Sequence, residues 1–153
     1  MSISVQFSTQ DDPCALDMCE ADISEVWAAT HRHPKEVLRW AYNLTPDCRS
    51  VFFDGELIAM FGVVPDPRGA HKGSPWMLGS DRIRSKDIRV EFARKSKGYV
   101  LQMSKEFPIL ENYVDARNTL AKRWLKWCGF TIEPPVEYGP EGLPFHLFHM
   151  RRG

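Results

Sequence analysis

The sequence has no surplus of charge: twenty Lys and Arg balance twenty Asp and Glu over 153 residues. A nucleic-acid binder ordinarily shows a basic footprint, so this balance argues against nucleic acid as a partner. No apolar run approaches the roughly 20 residues that span a bilayer. Residues 1–6 lack a basic segment leading into an apolar one, so neither a membrane segment nor a secretory signal is expected. The four cysteines, Cys14, Cys19, Cys48 and Cys128, form no Cys-x-x-Cys pair and no regular spacing. They read as free thiols in a reducing compartment rather than as a zinc site or a disulfide framework. His31 and His33 fall in a loop, while His146 and His149 point to opposite faces of one strand, so no metal site is expected. A Gly-x-Ser-x-Gly elbow, a Walker loop and a dinucleotide fingerprint are also absent. What the chain does have is aromatic bulk, with five Trp and nine Phe, which together with its length is enough to close the core of one domain over residues 1–153.

Ile3, Val5 and Phe7 alternate with polar residues, the period of a half-buried strand. Asp12-Pro13 opens a helix whose stripe is Leu16, Cys19, Ile23, Val26 and Trp27, facing the core. His31-Arg32-His33-Pro34 breaks it, and Val37, Trp40, Ala41 and Leu44 mark a second helix ending at Thr45-Pro46-Asp47. Residues 51–53 and 57–64 flank Asp54-Gly55, a strong hairpin signal. The second of these strands is almost wholly apolar and is therefore expected at the sheet centre. A loop over 65–75 leads to a short strand at 76–79, then to a helix over 86–107 with Ile88, Phe92, Tyr99 and Met103 on one side. Residues 109–116 form a fifth strand. Asn118 caps a short helix on which Leu120, Trp124 and Trp127 share a face, read as core, and Gly129 ends it. Strands at 130–133 and 145–150 close the sheet across a Pro- and Gly-rich connection.

The pattern is α/β (α+β): a mixed, mostly antiparallel central sheet of about seven strands flanked by about four helices. Within it Asn118, Ala121, Gly129 and Phe130 match the spacing N-x-x-A-x-x-x-Y-x-x-x-G-F. On that order and motif the whole chain resembles the GNAT N-acetyltransferases. The resemblance implies acetyl-CoA as cofactor, a phosphate site after the fourth strand, and a tyrosine that protonates the departing thiolate. The sequence departs at two of these places. Leu125 stands at the tyrosine position, and the glycine-rich phosphate turn is replaced by Ser80-Asp81-Arg82-Ile83-Arg84-Ser85-Lys86-Asp87. Arg82, Arg84, Ser85 and Lys86, with Asn118, are the residues left to hold a coenzyme. Asp115 and Glu111 share one face of the fifth strand and are the candidate general bases; the competing reading is that they are solvated or pair with Arg117 and Lys122.

Over the last 80 or so residues the chain also resembles the GNAT-like internal virion protein A family of short-tailed bacteriophages. The residues that carry this are Ser80-Asp81, a basic helix, Asn112-Tyr113-Val114, Asn118, Arg123, Gly129 and Phe145-His146-Leu147-Phe148. That resemblance implies a phage protein in the host cytoplasm or associated with the virion, whose partners are virion or host proteins. The expectation is a noncatalytic or weakly active binding or assembly module. The alternative is an acetyl-CoA-dependent N-acetyltransferase with a divergent coenzyme loop. A third class is an inhibitor of nucleic acid or of a host protein, built on the basic helix from Arg82 to Lys97.

Overall fold

The computed structural model describes residues 2–69 and 71–152; Met1, Ala70 and Gly153 lie outside it, Ala70 within the loop expected over 65–75. Seven strands form one sheet: β1 (Ile3–Phe7), β2 (Arg49–Phe53), β3 (Glu56–Pro65), β4 (Lys72–Gly79), β5 (Ile109–Asp115), β6 (Thr131–Tyr138) and β7 (Leu143–Arg151). Their order is β1-β2-β3-β4-β5-β7-β6. Every neighbouring pair is antiparallel except β4 and β5. Among the described residues five α-helices accompany the sheet: α1 (Asp12–Ala15), α2 (Glu20–Thr30), α3 (Pro34–Leu44), α4 (Lys86–Glu106) and α5 (Thr119–Cys128). Among the described residues no helix is long and apolar enough to cross a membrane.

The apolar strand β3 sits between β2 and β4 and is covered on both faces. Met60 packs with Leu16, Leu38 and Leu78 beneath α1–α3. Phe61 and Val63 join the clusters built on Ile88, Phe92 and Val100 of α4. The Asp54-Gly55 turn has positive φ at both residues, 50° and 81°, as a tight hairpin of this hand requires.

Four expectations are corrected. The first predicted helix is two: α1 stops at Ala15, and Leu16 turns extended with ψ 123°. Burial of Leu16, Met18 and Cys19 in the core favours the break, and the Lys35 ammonium gathers the carbonyls of Pro13, Cys14 and Leu16 that the helix end leaves free. Trp27 and Trp127 do not face the core; they are 48% and 51% exposed. On α5 the buried residues are Leu125 and Cys128, while Trp127 lies outside, donating Nε1–H to the Ala93 carbonyl beneath the Lys97 ammonium. Strand β4 begins four residues earlier than expected, because Pro75 sits where its missing N–H faces no strand. Strand β6 runs through Pro134 and Pro135 because it is an edge strand with a register shift between Ile132 and Pro135, the setting in which proline is tolerated.

Candidate functional site

The parallel pairing of β4 and β5 spans only Lys72 with Ile109 and Gly73 with Leu110. Beyond that apex the strands splay. Ser80 N–H bonds the Ile58 carbonyl and Asp66 N–H bonds that of Lys72; with the β3–β4 register, the alternation of an antiparallel ladder turns Gly73, Pro75, Met77 and Gly79 toward the gap. Side chains serve part of this edge. Asn112 Nδ2 donates to the Pro75 carbonyl at 3.0 Å. Met77 remains with its N–H and C=O aimed into the opening.

Two carboxylates close the wide end. Asp22 and Glu25 lie three apart on α2, hence on one face of the helix. Gly79 N–H, the last of β4, donates to Asp22 Oδ2 at 2.8 Å; Asp115 N–H, the last of β5, donates to Glu25 Oε1 at 3.1 Å. Asn118 ties the two together. Its Nδ2 lies 3.4 Å from Asp22 Oδ1 and 3.2 Å from Glu25 Oε1, while its Oδ1 accepts from Ala121 N–H and caps α5. One amide thus performs the capping role expected of it and joins the carboxylates as well.

Among the described residues no cation forms an ion pair with either acid. Burial therefore dominates, and Glu25 is pushed up to about 7, with the charges of Asp22 and Asp115 adding to the shift and hydrogen bonds opposing it. Asp22 is also raised by burial, against its bonds to Gly79, Cys19 and Asn118 and the charge of Arg84. Beside Asp22 the Cys19 thiol is pushed up to about 11, first by burial and then by the Asp22 charge, so it remains protonated. Both carboxyl groups nevertheless border a cavity of about 240 Å³ that runs through the splay.

On the α2 side the cavity is walled by Ala29, Thr30, Trp76, Tyr113, Tyr138 and Phe145. Tyr113 and Tyr138 stack with centroids 4.2 Å apart. The turn after Tyr138 is pressed against the end of α2: Gly139 has φ +78°, and a Cβ there would lie 2.3 Å from the Ala28 carbonyl oxygen. His31 Nε2 and Glu141 Oε2 meet at 3.0 Å across the same seam.

The residues nominated from sequence are dispersed. Glu111 pairs with Lys72 near the apex and with Arg151 at 3.7 Å. Asp115 is buried and bound by Arg117, with Nη2 2.7 Å from Oδ2. Burial alone would raise Asp115, but the hydrogen bonds and charge of Arg117 outweigh it and hold the carboxyl below its ordinary value. Neither Glu111 nor Asp115 borders the cavity. Arg82 leans on Glu56 at 3.4 Å and over the Phe53 ring at 5.6 Å. Arg84 and Lys86 are exposed, and Ser85 is the N-cap of α4 with no side-chain bond to the helix. Only Asn118 joins the carboxylates. Leu125, at the tyrosine position, is buried in the core.

Asp22 and Glu25 were not nominated because two acids beside an apolar stripe ordinarily mark a solvated helix face. Their one sequence signal is the three-residue spacing, which brackets Ile23 and precedes buried Val26.

No protein-family model matches the sequence, and no curated protein matches it. Solved structures do. Ard1 from Thermoplasma volcanium aligns with a TM-score of 0.74 at 11% identity, covering 100% of this chain and 99% of that one. The yncA protein of Salmonella typhimurium, solved with its cofactor acetyl-CoA, aligns at TM-score 0.67 and 11% identity over 99% and 94% of the two chains. A GNAT-family acetyltransferase from Streptococcus pneumoniae aligns at 0.64 and 16% identity over 99% and 100%. The chain has the GNAT acetyltransferase fold.

Proposed function

We propose that the protein is an acyl-CoA-dependent N-acyltransferase acting on a primary amine, with Glu25 as general base. The observation that carries this is a carboxyl group poised near pH 7 beside an open strand edge, since a base titrating near the working pH both holds its carboxylate form and accepts a proton readily. Met77 would offer its N–H and C=O to the amide-bearing arm of the coenzyme, as a missing strand would. Ser85, Lys86 and Arg84 at the start of α4 would receive the phosphates, aided by the helix dipole.

In this reading Glu25 takes one proton from the ammonium. The amine nitrogen bonds the thioester carbon, the C–S bond breaks with its electron pair on sulfur, and the second nitrogen proton passes through solvent to the thiolate. Glu25 then releases its proton to water. Solvent takes the place of a tyrosine acid, for which Leu125 leaves no candidate.

A second reading, a noncatalytic binding module, is favoured by the turn after β4. The N–H groups of Arg82, Ile83 and Ser85 bond within it, and Ile83 packs against Gly79, narrowing the approach of a pyrophosphate. A place in the host cytoplasm or in a phage virion rests on the C-terminal resemblance alone, and co-sedimentation with purified virions would test it. Calorimetric titration with acetyl-CoA, followed by thiol release with an amine panel, separates the two readings. Saturable micromolar binding with turnover is expected; absence of heat and of any rise in melting temperature at millimolar ligand overturns the enzyme reading.

A further inference from the structure

The cavity does not end at the carboxylates. It continues to the α4 side of the sheet, where Val5, Val51 and Phe61 form the floor and Phe92 and Tyr99 the roof. An acetyl group needs none of this space. Among the described residues the one charged side chain in this part of the lining is Lys95, which is exposed. A second observation points to an occupant. Trp124 lines the same cavity, and its Nε1 is the one buried side-chain polar atom without a hydrogen-bond partner among the described residues. Trp124 packs against both core clusters on this side of the sheet, with its ring 6.3 Å from that of Phe92. A buried N–H left without an acceptor is costly, so a ligand offering one carbonyl beside an otherwise apolar chain would complement this wall.

Building on the acyltransferase reading, we infer that the chamber between α4 and the sheet takes the acyl chain of the donor, and that the preferred donor is a medium-chain acyl-CoA rather than acetyl-CoA. Trp124 Nε1–H donates to the acyl carbonyl. The chain beyond it lies against Val51, Phe61 and Phe92. An alkylamine acceptor does not fit this wall as well, because its nitrogen brings donors rather than an acceptor.

The test is a donor series from acetyl- to decanoyl-CoA with one fixed amine, read as kcat/KM and as Kd. Each buried methylene strengthens binding roughly threefold to fourfold, so hexanoyl- or octanoyl-CoA should exceed acetyl-CoA by tenfold or more. Ser96→Phe, which fills the chamber from α4, should return the preference to acetyl-CoA. Trp124→Phe should weaken every acyl-CoA by about threefold to tenfold and leave free coenzyme A unchanged. The wild-type series decides even if both variants fail to fold. Acetyl-CoA turned over as well as the longer donors overturns the inference and leaves the enzyme reading standing; so does a length preference that appears only in a matching alkylamine series run at fixed acetyl-CoA. Failure of every coenzyme A species to bind removes both.

Discussion

Two pairs of carboxylates in this protein lie at the edges of the same splay and acquire different partners: Asp115 is held below its ordinary value, whereas Asp22 and Glu25 are raised. Glu111 and Asp115 lie on β5, each with cations within reach: Lys72 and Arg151 for the first, Arg117 for the second. Asp22 and Glu25 lie on α2, where two strand-end N–H groups and one amide bond them and Asp22 also feels Cys19 and the more distant charge of Arg84. A buried carboxylate with a guanidinium stays ionised and structural. One bonded by neutral donors with no ion-pair partner, as Glu25 is, is lifted toward neutrality and can exchange a proton with a ligand. Loss of solvent is the largest upward push on both Asp115 and Glu25, and at Asp115 the hydrogen bonds and charge of Arg117 outweigh it.

The sharpest way to break this contrast is Glu25→Gln. Gln keeps an oxygen for Asp115 N–H but cannot accept a proton, so kcat for amine acylation should fall by about 10²- to 10⁴-fold with the donor Kd nearly unchanged. A loss under threefold would remove Glu25 from the base role.

The pH dependence of stability tests the same carboxyl without any substrate. Its pKa rises from 4.5 to about 7 in the fold. The native state then binds more protons than the unfolded chain between roughly those values, and stability falls as pH rises through that window. Glu25→Gln should flatten the fall by about 2–3 kcal/mol in urea titrations from pH 4.5 to 8. Asp115 carries the opposite sign. Its pKa is lowered, so its contribution is complete above the ordinary carboxylate range and disappears as pH falls through the depressed value. Asp115→Asn should therefore cost about 1–2 kcal/mol at pH 7 and less in acid. The smallest effect belongs to Glu111→Gln, which loses a partly exposed ion pair: under about 1 kcal/mol in denaturation midpoint, and acylation within twofold of wild type.

Much of the frame was legible in the chain. The Asp54-Gly55 hairpin, the Asn118 cap and the Gly129 stop each rest on interactions within a few residues and appear where the local pattern places them, and the apolar run of β3 is central because burial on both faces needs that composition. The misreadings are equally local. A helical stripe assigned Trp27 and Trp127 to the core, yet a tryptophan can cover a helix from outside while its N–H finds a carbonyl, as Trp127 does with Ala93. Pro75, Pro134 and Pro135 read as loop because a single sequence does not say which side of a strand lacks a neighbour.

Fold class was determined by the sequence, through the order and periodicity of its elements, as were Leu125 and the glycine-free turn over residues 80–87, which are readable from residue type alone. The site itself was decided in three dimensions. Asp22 and Glu25 acquire their character from Gly79, Asp115 and Asn118, which lie between 57 and 96 positions away along the chain. The energy of a buried charge depends on what surrounds it within a few ångströms, and only the folding of α2 across the open ends of β4 and β5 supplies those surroundings.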